Sequence, residues 1–173
     1  MRRFLRRLAL GVAVLAIAAA AGLYWLGTGG YSYSDEQQAL LDTAGKPDGF
    51  VIGFSTDADW SPERFELWYY QRLGTVVSFV NGIAVQAEPI DLLPDDVVLP
   101  RYEPADFDRY MTRGHVMDVV APGPWGSAPE YYPELFADQE IEIHYGEQLV
   151  LGVDAESQRL VYVETMALVA DEQ

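Results

Sequence analysis

Residues 75–87 read TVVSFVNGIAVQA, and this stretch decides the fold. Two β-branched runs, Thr75 to Val80 and Ile83 to Ala87, flank the dipeptide Asn81-Gly82. Both positions of that dipeptide tolerate positive φ, as a type I′ turn requires, so the sequence predicts a tight β-hairpin. Alternation places Val76, Ser78 and Val80 on one face of its first strand. Immediately upstream, Phe65 to Leu73 (FELWYYQRL) is rich in aromatic residues and ends at Gly74, which predicts a third antiparallel strand and a meander. Trp68, Tyr70 and Phe79 are the expected core residues of that meander.

Working outward, Ser34 to Ala44 (SDEQQALLDTA) starts on a capping serine and carries two acids in its first turn, which predicts a short helix. Gly45 and Pro47 end it. A polar loop holding Asp57, Asp59, Trp60 and Pro62 leads to the first strand. After the hairpin, Pro89, Pro94, Pro100 and Pro104 punctuate a segment that reads as a Pro/Asp-rich linker. Asp106 to Tyr110 has room for one helical turn, and Thr112 to Val120 (TRGHVMDVV) predicts a second short helix capped by Thr112. A loop rich in proline and aromatic residues comes next, with Trp125, Tyr131 and Tyr132. Ile141 to Tyr145, Leu149 to Val153 and Leu160 to Glu164 predict a second set of strands.

The two halves thus share an order of helix, Gly/Pro stop, loop and meander, with Glu66 and Glu142, and likewise Tyr69 and Tyr145, placed 76 residues apart. This suggests an internal duplication. The expected fold class is α+β: an N-terminal transmembrane helix followed by two units, each a short helix plus an antiparallel meander. The expected division is a cytoplasmic basic tail at 1–7, the membrane helix at 8–26, a linker at 27–33, a first α+β unit at 34–90, the Pro/Asp linker at 91–104 and a second unit at 105–170.

The membrane helix is read from Leu8 to Leu26, which is free of charge and, at about 1.5 Å per residue, matches the thickness of a bilayer's hydrocarbon layer. Arg2, Arg3, Arg6 and Arg7 precede it, and basic flanks stay in the cytoplasm, so the domain is expected on the extracytoplasmic side, the periplasm of a two-membrane bacterium. A cleaved signal peptide, with Ala18, Ala19 and Ala20 at the cleavage site, is the rival reading; in either case the domain is exported. All 27 acidic residues of the 173-residue chain lie beyond this run, against seven of the eleven basic ones, a balance of −20. Such a charge repels phosphate backbones and argues against a nucleic-acid partner. The chain has no cysteine, and therefore neither disulfide nor thiolate ligand nor thiol nucleophile.

No G-x-S-x-G, S-x-x-K, H-E-x-x-H, phosphate loop or dinucleotide fingerprint occurs. His115 and His144 share no motif, and the expected positions are a helix surface and a half-buried strand site; pairing both with Glu142 at a metal is the alternative weighed. The pairs Asp57/Asp59 and Asp95/Asp96 read as solvated loop carboxylates rather than acid/base partners. No catalytic, cofactor or metal residue is expected, and the chain does not read as an enzyme. Trp60, Trp125, Tyr131 and Tyr132, set among turn residues, are the candidate protein-contact residues.

The order of these features resembles the small BamE (SmpA/OmlA) type of envelope domain, and in tandem form the beta-lactamase inhibitor protein type. The resemblance is carried by Thr112, Arg113 and Val116 ahead of Pro124, and by Glu66, Trp68, Tyr69, Phe79 and Gly82, and spans most of residues 35 to 169. The lipidated cysteine of that type is absent, His144 stands where the first half has Trp68, and Pro122 replaces the glycine of Gly-x-Pro. The resemblance implies an α/β sandwich that binds other proteins and catalyses nothing. The expected function is a membrane-anchored, non-catalytic interaction or scaffolding module whose partner is another envelope or membrane protein. A cation- or ligand-binding sensor domain is the alternative.

Overall fold

The computed structural model describes residues 31–54, 64–93, 97–109, 111–120, 126–131, 140–165 and 167–169. Helix α1 (Asp35–Ala44) begins where the sequence places it. The Ser34 hydroxyl accepts from the Gln37 amide at 3.1 Å while the Gln37 side chain accepts from the Ser34 amide at 3.1 Å, so two orphan donors are closed reciprocally. Gly45, at φ +79°, ends the helix. Helix α2 (Arg113–Val119) starts directly after Thr112.

The strands are β1 (Gly49–Phe54), β2 (Arg64–Tyr70), β3 (Thr75–Val80), β4 (Ile83–Pro89), β5 (Val97–Val98), β6 (Gly126–Tyr131), β7 (Glu140–Gly146), β8 (Leu149–Asp154), β9 (Leu160–Thr165) and β10 (Leu168–Val169). Eight of them form one antiparallel sheet in the order β4-β3-β2-β1-β9-β8-β7-β6, and β5 and β10 pair separately. Asn81 (φ +51°) and Gly82 (φ +82°) make the expected turn between β3 and β4. Val76, Ser78 and Val80 stand opposite Tyr69, Leu67 and Phe65, on one face as the alternation predicts.

This architecture corrects the expected fold class. Instead of an N-terminal membrane helix followed by two helix-plus-meander units, the described residues make mostly one antiparallel sheet with two short helices. The two meanders are joined edge to edge by β1 and β9, with Phe50 opposite Thr165 and Ile52 opposite Val163. No helix among the described residues is long and apolar enough to cross a membrane. The Leu8–Leu26 run lies outside the described residues.

Four strands were not expected: the short pair β5 and β10, and two in the main sheet. β1 (GFVIGF) is flanked by strands on both sides and its residues are buried or half-buried throughout, so it lacks the apolar/polar alternation that marks a one-sided strand, and Gly49 and Gly53 dilute its β propensity. β6 (GSAPEY) contains Pro129 and reads as loop, but it is an edge strand bonded only to β7, where a proline is tolerated.

Both helices pack on the same face of the sheet. There Phe50, Ile52, Phe54, Trp68, Tyr70, Phe79, Leu149, Leu151, Leu160 and Val163 meet Phe107, Met111, Val116 and Val120, with Leu40, Leu41 and Ala44 of α1 against them. Fully burying a large apolar side chain contributes roughly 1.5–3 kcal/mol, so this layer is the main source of stability. Trp68, Tyr70 and Phe79 occupy it as expected. A smaller cluster of Ile141, Ile143 and Val161 lies on the opposite face, since Ile143 faces Gly152 and Tyr162 across the strands while His144 faces the core residue Leu151.

Candidate functional site

The helix-bearing face holds a buried polar cluster that has the composition of a catalytic site and none of its access. The Glu66 carboxylate, 1% exposed, accepts from Arg64 Nε (2.8 Å) and Nη2 (3.2 Å), Gln37 Nε2 (2.8 Å) and Trp68 Nε1 (2.9 Å). Arg64 also donates to the carbonyls of Pro104 and Phe107 and stacks over the Tyr31 ring at 3.7 Å. Every strong group here is already bonded, which makes the cluster a bolt between sheet, α1 and the 104–107 segment rather than a place for substrate. An adjoining cleft of about 150 Å³, lined by Tyr31, Phe54, Arg64, Asn81, Asp108 and Arg109, is smaller than the roughly 300 Å³ at which ligand pockets usually begin.

The histidines are kept apart in role. His115 Nδ1 lies 3.5 Å from the Thr112 amide at the start of α2. His144 is more buried than expected, at 2% exposed, and its Nε2 has no hydrogen-bond partner among the described residues, with Glu142 Oε1 at 3.5 Å. Burial lowers the His144 pKa, and the nearby Glu142 only partly offsets this. Among the described residues no three His, Asp or Glu side chains converge as metal ligands would.

The opposite face of the sheet is different in kind. One row across it runs Ile83, Val80, Phe65, Gly53, Tyr162, Gly152 and Ile143; the next runs Ser78, Leu67, Val51, Glu164, Val150 and Tyr145. Neither α1 nor α2 packs on it, and part of it stays in water: Ile83 is 60% exposed, Phe65 44%, Tyr145 41% and Leu67 36%, whereas Val76, Ile141, Ile143 and Val161 on the same face are buried. Gly53 floors a notch between Phe65 and Tyr162, where a Cβ added to it meets no atom within 4 Å. The charged residues that the register places on this face are Glu88, Glu130, Asp154 and Glu164, all acidic; Asp154 is buried and accepts from the Ser157 amide, whereas Glu88 and Glu164 are charges in reach of a partner. Contiguous apolar surface of this sort is uncommon unless something docks on it.

Of the four expected contact residues, Trp60, Trp125 and Tyr132 lie outside the described residues. Tyr131 belongs to edge strand β6, opposite Glu140, and not to a loop. The face residues Phe65, Leu67, Tyr69 and Tyr162 are not marked by the sequence as contact residues, although the alternation that puts Trp68 and Tyr70 in the core sends Leu67 and Tyr69 to the other side. The outer edge of the sheet at β4 is a weaker docking place. The side chain of Glu36 accepts from the Ala84 amide, and Pro89 has no amide to offer. Among known proteins, no family model, no curated protein and no solved structure matches the chain.

Proposed function

We propose that this chain is an exported, non-catalytic interaction module that holds a basic protein against the face of its sheet opposite α1 and α2. The observation that carries the reading is the pairing of exposed apolar side chains with charges of one sign on that face. An apolar centre supplies binding free energy, and acids without bases select a cationic surface and reject an acidic one. A second copy of the chain is disfavoured as the occupant, because Glu88 and Glu164 would meet their own kind. Export is supported by Arg2, Arg3, Arg6 and Arg7 ahead of the apolar run from Leu8, and by the −20 balance of the chain beyond that run. The resemblance to envelope protein-binding domains points the same way.

Site-specific photo-crosslinking in native cells tests the reading. Benzoylphenylalanine at position 65 or 83 is expected to capture a protein of high isoelectric point, in a complex that a membrane-impermeant reagent reaches in intact cells. The same probe at Ala39, exposed on α1, is expected to capture none. Gly53→Arg fills the notch with a cation and leaves the fold intact, since the position is open and its φ ordinary; it is expected to abolish the cross-link. Cross-linking equal at 39 and 65, or indifferent to Gly53→Arg, would overturn the proposal.

A further inference from the structure

Among the described residues, the face opposite the helices carries a central carboxylate with nothing basic beside it. Glu164 lies on β9 near the middle of the sheet, opposite Val51 on one side and Val150 on the other. It is half-buried, and the Tyr162 hydroxyl donates to its Oε2 at 2.7 Å. No Lys or Arg among the described residues pairs with it. Tyr69 is on the same face, one step further along β2 than Leu67. Burial first and the charge of Glu164 second raise the Tyr69 pKa, and Tyr162 feels both Glu164 and Tyr69, so the three groups form one cluster. Holding a carboxylate on an apolar floor without a cation is costly, and a partner that brings the cation recovers that cost on docking.

We propose that Glu164, flanked by Tyr69 and Tyr162, is the seat for an arginine side chain of the protein that docks on this face. The inference rests on the docking role given above and names its point of recognition. The Tyr162 hydroxyl takes one lone pair of Oε2, which leaves Oε1 and the second lone pair of Oε2 for the guanidinium fork. Guanidinium is weakly hydrated and planar, and it gains from the face of a tyrosine ring such as Tyr69, where a lysine ammonium keeps more of its water. Val51, Leu67 and Val150 offer the methylene stem an apolar bed.

The probes are two peptides that differ in one charge, acetyl-Leu-Arg-Leu-amide and its neutral isostere acetyl-Leu-citrulline-Leu-amide, titrated into the full chain and followed by the ring resonances of Tyr69 and Tyr162. The arginine peptide is expected to bind at least about tenfold more tightly, the effect of one charge-assisted bond pair. In Glu164→Gln, with its melting transition checked against wild type, that preference collapses to near unity. Tyr162→Phe leaves the carboxylate in place and keeps part of the preference. Equal binding of the two peptides, no shift at millimolar peptide, or a preference that survives Glu164→Gln overturns the seat. If the cross-link at position 65 persists while the peptide preference is absent, the seat alone is rejected. If no cross-link forms at 65 or 83, the docking face is rejected.

Discussion

Removal of the Glu66 carboxylate is the perturbation for which the structure gives the most definite consequence. In Glu66→Ala, Arg64 stays 4% exposed and loses two of its four bonds, keeping those to the Pro104 and Phe107 carbonyls. Breaking a buried pair by deleting one partner costs about 3–5 kcal/mol. The two remaining carbonyl bonds put the Arg64 contribution at the lower end. Gln37 Nε2 and Trp68 Nε1 each lose an acceptor as well, at roughly 1 kcal/mol apiece, for a total of about 5 kcal/mol. With a urea slope near 2 kcal/mol/M, the unfolding midpoint of the full chain falls by about 2.5 M. Replacing both partners, Arg64→Met with Glu66→Leu, removes the stranded charge and is expected to cost less than Glu66→Ala alone. A Glu66→Ala loss below about 1 kcal/mol, or a double variant at least as damaged as the single one, would refute the assignment of this cluster as a structural bolt.

Two further outcomes concern His144 and Gly82. His144 is held neutral by burial, with a folded pKa below its ordinary 6.5, so its contribution to stability is complete above pH 6.5 and declines as the pH falls from there through the folded value, by at most about 1.4 kcal/mol per pH unit. His144→Phe is expected to flatten the stability profile below pH 6.5 in chemical denaturation, and an unchanged slope would count against the buried neutral imidazole. Gly82→Ala puts a Cβ 2.9 Å from Ser34 Cβ and from the Tyr31 hydroxyl at φ +82°, and is expected to cost about 2 kcal/mol, a fall of roughly 5–10 °C in Tm by differential scanning calorimetry. A melting point within a degree or so of wild type would show that the turn does not press on the start of α1.

The local elements were legible because single residues set them. Ser34 and Gly45 bound α1, and Asn81-Gly82 fixed the β3–β4 hairpin and with it the face assignment of Phe79. The concealed part was long-range. β1 has neighbours on both sides, so its residues carry no alternation to read, and β9 pairs with it across more than a hundred residues, a distance no local pattern encodes. That single pairing merges the two expected meanders into one sheet. The docking face was hidden for a related reason. Loop aromatics draw attention as contact residues, while Phe65, Leu67 and Tyr69 look like ordinary strand residues until the helices are seen to sit on the other side.

The seam between the first strand of the sheet and the ninth also governs when the molecule can exist. A chain shortened before Leu160 has every residue of β1 and β2 but leaves GFVIGF as an apolar border whose β9-side amides are unpaired. Synthesis therefore offers no stable halfway product, and loss of the residues from Leu160 onward harms the N-terminal half as much as its own. Late closure by distant segments is the slow route to a native sheet. A C-terminal tag or fusion that intrudes on β9 is accordingly a worse choice than one placed ahead of Tyr31.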